Sequence, residues 1–208
     1  IPLRLVGSEM CIRDSSTTMK SIMGLVDVTA GQITIEGRDI TGKRPFEIAR
    51  AGLGFVPEER EVFANLTVDE NLRMGEQPPR PDAPAWTIEQ MFGYFPRLKE
   101  RRNTRAGNLS GGEQQMLTMC RSLLGNPKVM LIDEPTEGLA PKIVEVIADV
   151  IRDIHQRGVS VVLVEQKLTI ALKVSTRVSV MGHGRIVFEG PPAQLHERQD
   201  VVQEWLAV

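Results

Sequence analysis

The chain lacks the features typical of disulfide-rich, zinc-binding, nucleic-acid-binding and membrane-spanning proteins. It has two cysteines in 208 residues, too few for a disulfide framework or a zinc site. Its formal net charge of -2 leaves no basic excess for binding a nucleic-acid backbone, so we expect no nucleic-acid partner. No apolar run in the sequence approaches the roughly 20 residues that a membrane helix needs. With 41% apolar residues, the chain is expected to be globular and to bury a substantial core.

The most informative stretch is residues 108–135, which read NLSGGEQQMLTMCRSLLGNPKVMLIDEP. Ser110, Gly111 and Gly112 open a predicted helix. Its free backbone N–H groups and positive dipole end suit a nucleotide phosphate. A Ser-Gly-Gly triplet by itself is typical of a flexible turn, so the interpretation depends on the residues after it.

An apolar strand, residues 129–132, comes after this helix and ends in Asp133 and Glu134. One carboxylate there can hold Mg²⁺ through water, and the next can polarise an attacking water. An acidic pair after a strand is by itself often a solvated strand end or a helix cap. The order of glycine-rich helix start, apolar strand and acidic pair favours a nucleotide-hydrolysing site over both of these interpretations.

The two motifs together resemble the ATP-binding cassette (ABC) family of transporter ATPases. LSGGE resembles the signature loop of that family, and VMLIDEP resembles its Walker B strand. The resemblance implies an α/β fold, a P-loop NTPase-like ABC nucleotide-binding domain with a mixed sheet core and helices, plus a helical subdomain. It also implies ATP and Mg²⁺ as cofactors, and a dimer that sandwiches two ATP molecules.

The same resemblance assigns roles to individual residues. Glu134 matches the general base and Asp133 the metal-orienting aspartate. Glu58, in FVPEER, stands where most members carry the Q-loop glutamine, and Gln166, in VVLVEQK, stands where they carry the switch histidine. The implied catalytic residues are Glu134, Gln166 and Glu58, the implied metal ligands are Ser16, Asp133 and Glu58, and the implied nucleotide-binding residues are Ser16, Thr17, Ser110, Gly111, Gly112 and Glu113.

Several departures from the commoner family pattern point to one branch. A Q-loop glutamate, EGLA in the D-loop at residues 137–140, EQQML after the signature and LVEQ in place of a histidine occur together in the second ATPase subunit of branched-chain amino acid importers. The ATPase subunits of urea or short-amide importers form a closely related branch. The implied partners are a second ABC ATPase subunit, transmembrane permease subunits and, indirectly, a periplasmic solute-binding protein. The implied location is cytoplasmic, on the inner face of the cell membrane.

The beginning of the chain departs from the family. Members carry a loop G-x-x-x-x-G-K-[ST], whose amides wrap the phosphates and whose lysine bridges the β and γ oxygens. Ser16 takes the Mg²⁺-binding hydroxyl position, but Ser15 replaces the lysine and Asp14 its glycine. The chain could be a divergent protein, a truncation, or a truncation whose first residues derive from sequencing or assembly error. We favour the last, because the match recovers abruptly at Ser16.

The resemblance and the sequence pattern together predict the organisation of the chain. Residues 1–15 form an atypical, non-native segment, the first strands of the fold are missing, and residues 16–208 form a partial nucleotide-binding domain with a helical subdomain at about 65–125. Residues 32–36 and 52–56 are predicted as strands that share a sheet region. The remaining predictions are helices at 17–25, 87–95 and 97–102, strands at 159–164, 177–181 and 185–189, a surface loop at 76–85, and a helix face formed by Ile143, Val146, Ile147, Val150, Ile151 and Ile154.

Two kinds of function fit the sequence. The first is an ATP-hydrolysing subunit that energises an importer for branched-chain amino acids, with a urea or short-amide importer as the alternative solute class. The second is a dimer partner that does not hydrolyse ATP. Such a partner would offer residues 110–113 to the ATP of another subunit while its own Walker A site stays empty, and the missing lysine is its main support.

Overall fold

A computed structural model describes residues 4–6 and 9–206, with side chains from Ser15 onward. Compact packing divides the chain into two units, Ile1–Leu53 with Val161–Val208, and Gly54–Ser160. In chain order the elements are β1 (Arg4–Val6), α1 (Glu9–Ile22), β2 (Thr34–Ile35), β3 (Arg38–Asp39), α2 (Pro45–Arg50), β4 (Leu53–Val56), α3 (Val68–Gly75), α4 (Ile88–Tyr94), α5 (Pro96–Glu100), α6 (Gly111–Leu123), β5 (Val129–Asp133), α7 (Pro141–Gln156), β6 (Ser160–Glu165), α8 (Leu168–Val174), β7 (Val178–Gly182), β8 (Arg185–Gly190), α9 (Pro192–Glu197) and α10 (Gln199–Trp205).

The first unit contains a mixed sheet. Strand β1 lies between β6 and β7 and is parallel to both, with Val6 opposite Glu165 and Val180. Strand β8 returns antiparallel to β7, so that Gly182 faces Arg185. Parallel strands joined by helices, with one antiparallel edge, confirm the predicted α/β class. The sequence did not predict strand β1. That residues 1–15 form an atypical segment stays a prediction.

Strands β2 and β3 form a separate two-stranded sheet, with Ile35 opposite Arg38. The two residues between them, Glu36 and Gly37, have φ angles of 48° and 76°. This left-handed pair matches the tight turn that suits the twist of a hairpin. The predicted strand at 32–36 is therefore present but short. The expectation that it shares a sheet region with residues 52–56 is wrong, because the turn pairs β2 with its own continuation while β4 lies beside β5.

The β7–β8 hairpin carries the apolar core of the C-terminal part of the first unit. One cluster of buried residues joins the hairpin to helices α8, α9 and α10, and it consists of Ala171, Val178, Val180, Phe188, Leu195 and Val201. Trp205 packs against this cluster, and its ring meets that of His183 edge-on, with 5.2 Å between the centroids. The strands predicted at 177–181 and 185–189 are confirmed.

In the second unit, helix α7 buries a face slightly rotated from the predicted one. Its buried residues are Val144, Ile147, Ala148, Val150, Ile151 and Ile154. Ile143 and Val146, which the apolar pattern assigned to this face, are only half-buried. Val144 and Ala148 are buried instead. Which residues of α7 are buried depends on how the helix packs, and not on the size of its apolar side chains.

Helices α3, α4 and α6, between β4 and β5, begin at strong capping signals. The side-chain oxygens of Thr67, Thr87 and Ser110 each accept a hydrogen bond from the backbone N–H three residues later. The side chain of that later residue accepts a hydrogen bond from the backbone N–H of the capping residue. These reciprocal caps satisfy backbone N–H groups that a helix start leaves unpaired. They fix the starts of α3, α4 and α6, and residues 76–85 form no helix or strand, as predicted. The helical subdomain at about 65–125 stays a prediction.

Cys120 is fully buried in α6, and burial raises the pKa of its thiol. It is a core residue, as its position on the apolar side of the helix indicated. The side chain of Cys11 lies outside the part of the chain whose side chains are described. Among the helices of residues 9–206, none has both the length and the apolarity needed to cross a membrane.

Asn71 fixes the loop that leads into α3. Its side chain is fully buried, accepts a hydrogen bond from the Phe63 N–H at 2.9 Å, and donates to the carbonyl oxygens of Phe63, Leu66 and Thr67 at 3.0, 3.2 and 2.9 Å. All of its donor and acceptor groups are thus engaged. One side chain thus makes four hydrogen bonds to the loop between the Q-loop segment and α3.

Replacing Asn71 with alanine is expected to lower the free energy of unfolding by about 3 kcal/mol, because each buried polar group left without a partner costs about 1 to 3 kcal/mol. Urea unfolding followed by circular dichroism measures the change. Asn103→Ala, at an exposed position, is the matched control and should change the free energy by less than about 0.5 kcal/mol. Equal effects of the two substitutions would contradict this account of the loop.

Candidate functional site

Strand β5 carries two carboxylates into the interior of the second unit. Met130, Leu131 and Ile132 are buried, and the strand delivers Asp133 and Glu134 with only 1% and 5% of their surface exposed. Buried charges are costly unless they are paired, protonated or bound to a cation. The strand end that the sequence singled out is therefore a site where carboxylates are held inside the protein.

The backbone turns sharply at Glu134. Its φ angle is 42°, in the left-handed region that residues with a side chain seldom adopt, and Gly138 follows with φ 63°. Left-handed non-glycine residues concentrate at functional sites, where the surrounding structure holds the strain. The strand thus ends at Asp133, and the strained turn begins at the residue for which the sequence predicts the base role, Glu134.

Glu58 reaches the same place from the loop after β4. A cavity of about 210 Å³ is lined by Glu58, Glu59, Arg60, Glu134 and Glu137. Partial burial raises the pKa of Glu58, and so do its hydrogen bond with Glu137 and the negative charges of Glu137, Asp133 and Glu59. The structure thus brings together three of the predicted site residues, Glu58, Asp133 and Glu134.

The chemistry of this cluster fits Mg²⁺ that arrives with a nucleotide. Carboxylate oxygens are hard ligands, and Mg²⁺ is commonly held by one or two of them together with substrate phosphates and water. In residues 9–206, no group of three or more histidine, cysteine, aspartate or glutamate side chains is arranged to hold a metal by itself. The metal roles of Asp133, Glu58 and Ser16 stay predictions.

The raised pKa of Glu58 predicts a stability effect with a definite sign. The folded chain holds this proton more tightly than the unfolded chain, so the contribution of Glu58 favours folding at low pH and is lost as the pH rises above its ordinary value of 4.5. Glu58→Gln should therefore raise the thermal midpoint at pH 7, and the gain should shrink towards pH 4.5. Glu61→Gln, at an exposed site nearby, is the control. A gain that does not change with pH would contradict the assignment.

The signature segment forms the start of α6, as predicted. Ser110 is the N-cap residue, and its Oγ accepts a hydrogen bond from the Glu113 N–H at 3.3 Å. The Glu113 carboxylate accepts from the Ser110 N–H at 2.8 Å and from Arg101 at 3.0 Å. Burial alone would raise the pKa of Glu113, but the Ser110 hydrogen bonds and the charge of Arg101 outweigh it and lower the pKa. The carboxylate of Glu113 serves the helix cap, and its nucleotide-binding role stays a prediction.

A second cavity, of about 470 Å³, opens at the start of α6. Its lining combines signature and D-loop residues with two arginines, and consists of Arg60, Arg97, Ser110, Gly111, Gly112, Glu113, Met116, Gly138, Leu139, Ala140 and Ile143. The free N–H groups and dipole of a helix start favour an anion at this position. Residues 110–113 therefore face open space in which a phosphate supplied by another surface can be received.

Ser16, Thr17 and Gln166 belong to the first unit. Ser16 is 9% exposed at the middle of α1, Thr17 is exposed, and Gln166 is exposed just after β6. Ser15, which stands where the family has its lysine, is fully buried, and its Oγ donates to the Met181 sulfur at 3.8 Å. The side chain at the lysine position thus faces the strand β7, and the nucleotide roles of Ser16, Thr17 and Gln166 stay predictions.

Sequence reasoning missed Arg60, and it placed Glu137 in the D-loop without predicting its contacts with Arg60 and Glu58. Arg60 lines both cavities, and its Nη2 donates to the carbonyl oxygen of Glu137 at 2.9 Å. Glu137 interacts with Glu58 through its side chain. Single charged residues in loops are typical of a solvated surface, so only the arrangement in space reveals them. The one signal in the sequence was that Arg60 lies two residues after Glu58, and Glu137 three after Glu134.

Comparison with known proteins gives a consistent result. Residues 15–137 match the family model described as ABC transporter. Over 180 residues, 86% of this chain and 77% of the relative, the chain is 42% identical to the high-affinity branched-chain amino acid transport ATP-binding protein BraG of Pseudomonas aeruginosa. It is 36% identical over 185 residues, 88% of this chain and 78% of the relative, to the probable branched-chain amino acid transport ATP-binding protein LivF of Archaeoglobus fulgidus. A crystal structure of an ATP-binding cassette of an ABC transporter in its ADP conformation superposes with a TM-score of 0.79 and 26% identity, over 97% of this chain and 86% of the other.

Proposed function

This chain belongs to the ABC transporter family, and from that premise we propose that, with a complete phosphate-binding loop before Ser16, it is the ATP-binding and ATP-hydrolysing subunit of an importer for branched-chain amino acids. The observation that carries the ATPase part is the buried pair Asp133 and Glu134 at the end of β5, with Glu58 in reach of the same cavity. The names of the two relatives, 42% and 36% identical, support the class of solute.

In this proposal, each residue of the cluster does one part of the chemistry. Glu134 takes a proton from the attacking water, whose oxygen bonds to the γ-phosphorus as the bond to ADP breaks, and Glu58 positions that water. Asp133 would help to hold Mg²⁺. Gln166 donates its amide hydrogen to the γ-phosphate in place of an imidazole. Mg²⁺, when bound with ATP, neutralises charge on the phosphates.

We further propose that the second half of each site comes from another subunit. The helix start at Ser110–Gly112 opens onto a cavity rather than onto the Glu134 cluster, so it suits the ATP of a partner ATPase subunit. Family membership supports permease subunits as further partners, with a solute-binding protein acting through them. Such an assembly would hold this chain on the cytoplasmic face of the cell membrane.

One observation favours a second candidate function. Ser15 occupies the position of the phosphate-binding lysine, and its side chain is buried against Met181. A subunit with this arrangement would lack a main positive partner for the β and γ phosphates. It would then serve as a dimer partner that lends residues 110–113 to the ATP of another subunit and does not hydrolyse its own.

Comparing two forms of the chain distinguishes the two candidate functions. The first is the 208-residue chain, and the second, called the loop-restored chain, has residues 1–15 replaced by a strand and a G-x-x-x-x-G-K loop that ends directly before Ser16. Removing one preorganised donor typically costs about 2.7 to 4 kcal/mol of transition-state stabilisation, and several are missing together. We therefore expect MgATP binding, measured by calorimetry, and phosphate release in the loop-restored chain, and only background release in the other.

Release of phosphate by the unmodified chain that disappears on Glu134→Gln would contradict the expected need for the lysine. No release from the loop-restored dimer would instead favour the partner role. The solute class is tested in vesicles that contain the assembled importer. Leucine with the solute-binding protein should stimulate ATP hydrolysis, and stimulation by urea instead would overturn the assignment to branched-chain amino acids.

A further inference from the structure

We propose that Arg60 is a positioning residue, which holds the D-loop turn (residues 134–138) closed against the first residue of the signature helix α6. The inference rests on the proposed function for the roles of Glu134 and Gly111, but the contacts that support it lie within the second unit and can be measured without ATP hydrolysis. Three observations support it: a hydrogen bond, a close packing contact and the charge of the surrounding cavity.

The hydrogen bond joins Arg60 to the turn. Its Nη2 donates to the Glu137 carbonyl oxygen at 2.9 Å. Within the turn itself, the Glu137 N–H donates to the Glu134 oxygen and the Leu139 N–H to the Thr136 oxygen, both at the longer distance of 3.3 Å. A hydrogen bond from a charged donor is stronger than a neutral one. Arg60 therefore contributes the strongest of these three contacts to a turn whose backbone is strained at Glu134.

The packing contact joins Arg60 to the signature helix. A Cβ atom placed on Gly111 would lie 2.2 Å from Nη1 and 3.2 Å from Cζ of Arg60, so the guanidinium rests directly on the glycine. A cation at a helix N-terminus is on the unfavourable end of the helix dipole. The helix dipole therefore does not attract the guanidinium of Arg60 to Gly111. The contact is a consequence of the hydrogen bond on the other side, and a side chain at position 111 would displace the guanidinium.

The charge of the cavity explains why the guanidinium stays in place. Glu58, Glu59, Glu134 and Glu137 line it, and Arg60 is the cation among the described residues around it. Opposite charges attract, so this acidic lining favours a cation in the cavity. The backbone of Arg60 also adopts a left-handed conformation, with φ 49°, which residues with a side chain seldom adopt.

These contacts make Arg60 a bridge between three segments that the proposed function assigns to the reaction. It follows Glu58 in the Q-loop, holds the carbonyl of Glu137 three residues after Glu134, and lies on Gly111. Loss of the bridge would let the turn open, and Glu134 would lose its fixed position relative to Glu58. Arg60 thus acts through Glu134 and not on the reacting atoms.

Hydrogen exchange of single amides, measured by NMR on the full 208-residue chain, tests the inference. The Glu137 and Leu139 amides report on opening of the turn, and amides in the middle of α7 report on global stability. Arg60→Met keeps the length of the side chain but removes its donors, so exchange at the two turn amides should rise by about tenfold, the factor for one charge-assisted hydrogen bond. Arg60→Lys restores charge and one donor and should return exchange towards the original rate.

Gly111→Ala gives a second variant, in which Arg60 and the residues of the turn are themselves unchanged. Its methyl group would displace the guanidinium, so it should raise exchange at Glu137 and Leu139 in the original chain. In an Arg60→Met background it should add little, because the contact is already lost. Such non-additivity is the signature of a direct coupling between the two positions. Arg152→Ala, which removes the same charge from the outer face of α7, is the control and should leave the turn amides unchanged.

Unchanged exchange in Arg60→Met would overturn the inference. So would an equal rise at the turn and in α7, because that pattern describes general destabilisation, and so would the absence of rescue by lysine. Failure of the proposed function gives a different result. If the loop-restored chain shows no phosphate release while Arg60→Met still frees the turn amides, the positioning role stands and the ATPase role falls.

Discussion

Phosphate release by the loop-restored chain is expected to fall by at least about 100-fold when Glu134 is replaced by glutamine, the lower range for loss of a general base. MgATP binding should persist, because glutamine keeps the shape of the side chain and removes only the proton acceptor. Calorimetry measures binding, and release of phosphate in a single turnover measures the chemical step. Glu134 is 5% exposed, so bulk water cannot readily substitute for its carboxylate.

Glu61→Gln is the matched control for this prediction. It makes the same chemical change at an exposed position outside both cavities, and turnover should stay within about twofold of the original, since exposed substitutions seldom alter the folded state. If Glu134→Gln hydrolysed ATP at the original rate, another group would have to be the base. A loss of binding together with turnover would assign Glu134 to the nucleotide site in a different role.

Gly111→Asp is expected to abolish hydrolysis in the loop-restored dimer, because its carboxylate would stand where the phosphate of the partner's ATP is expected and would repel it. The substitution also places a Cβ atom 2.2 Å from Nη1 of Arg60, which must move. Gly93→Asp, on α4, is the control, since a Cβ atom there meets nothing within 4 Å. It should leave phosphate release unchanged.

Mixed dimers can show whether Gly111 acts on the ATP of the other subunit. If it does, a dimer with Gly111→Asp on one subunit and Glu134→Gln on the other has both defects in the same composite site. One site remains intact, and about half of the turnover should persist, as the site count implies. Placing both substitutions on one subunit damages both sites and should abolish turnover. The reverse pattern would show that Gly111 acts within its own subunit.

Local signals made much of the second unit predictable. The S-x-x-E sequence of Ser110 and Glu113 specifies a capping box, and the structure has that cap. The apolar residues before Asp133 specify a buried strand, and β5 ends where the sequence indicated. Membership of the ABC family, predicted from these two motifs, is confirmed by the family match. Each of these predictions depends on residues that are close together in the chain.

The failures arose from one local turn that we did not predict and from packing between distant residues. The partner of strand β2 depends on the tight turn at Glu36 and Gly37, which pairs it with β3 instead of β4. Burial of Val144 rather than Ile143 depends on how α7 packs, which the apolar pattern does not specify. Arg60 becomes significant only when Glu137, 77 positions later in the chain, is brought within 2.9 Å of it. Local sequence carries no signal for such a pairing.

At Glu134, the left-handed backbone lowers the stability of the chain, while the side chain is the one to which we assign the catalytic role. An L-residue in this conformation costs about 1 to 2 kcal/mol, whereas glycine adopts it without steric penalty. A glycine at this position would therefore relieve strain and remove a buried carboxylate in a single step. Screening of random variants for heat resistance alone would tend to enrich that change and discard the catalyst, so engineering of this fold has to select for turnover and thermal tolerance together.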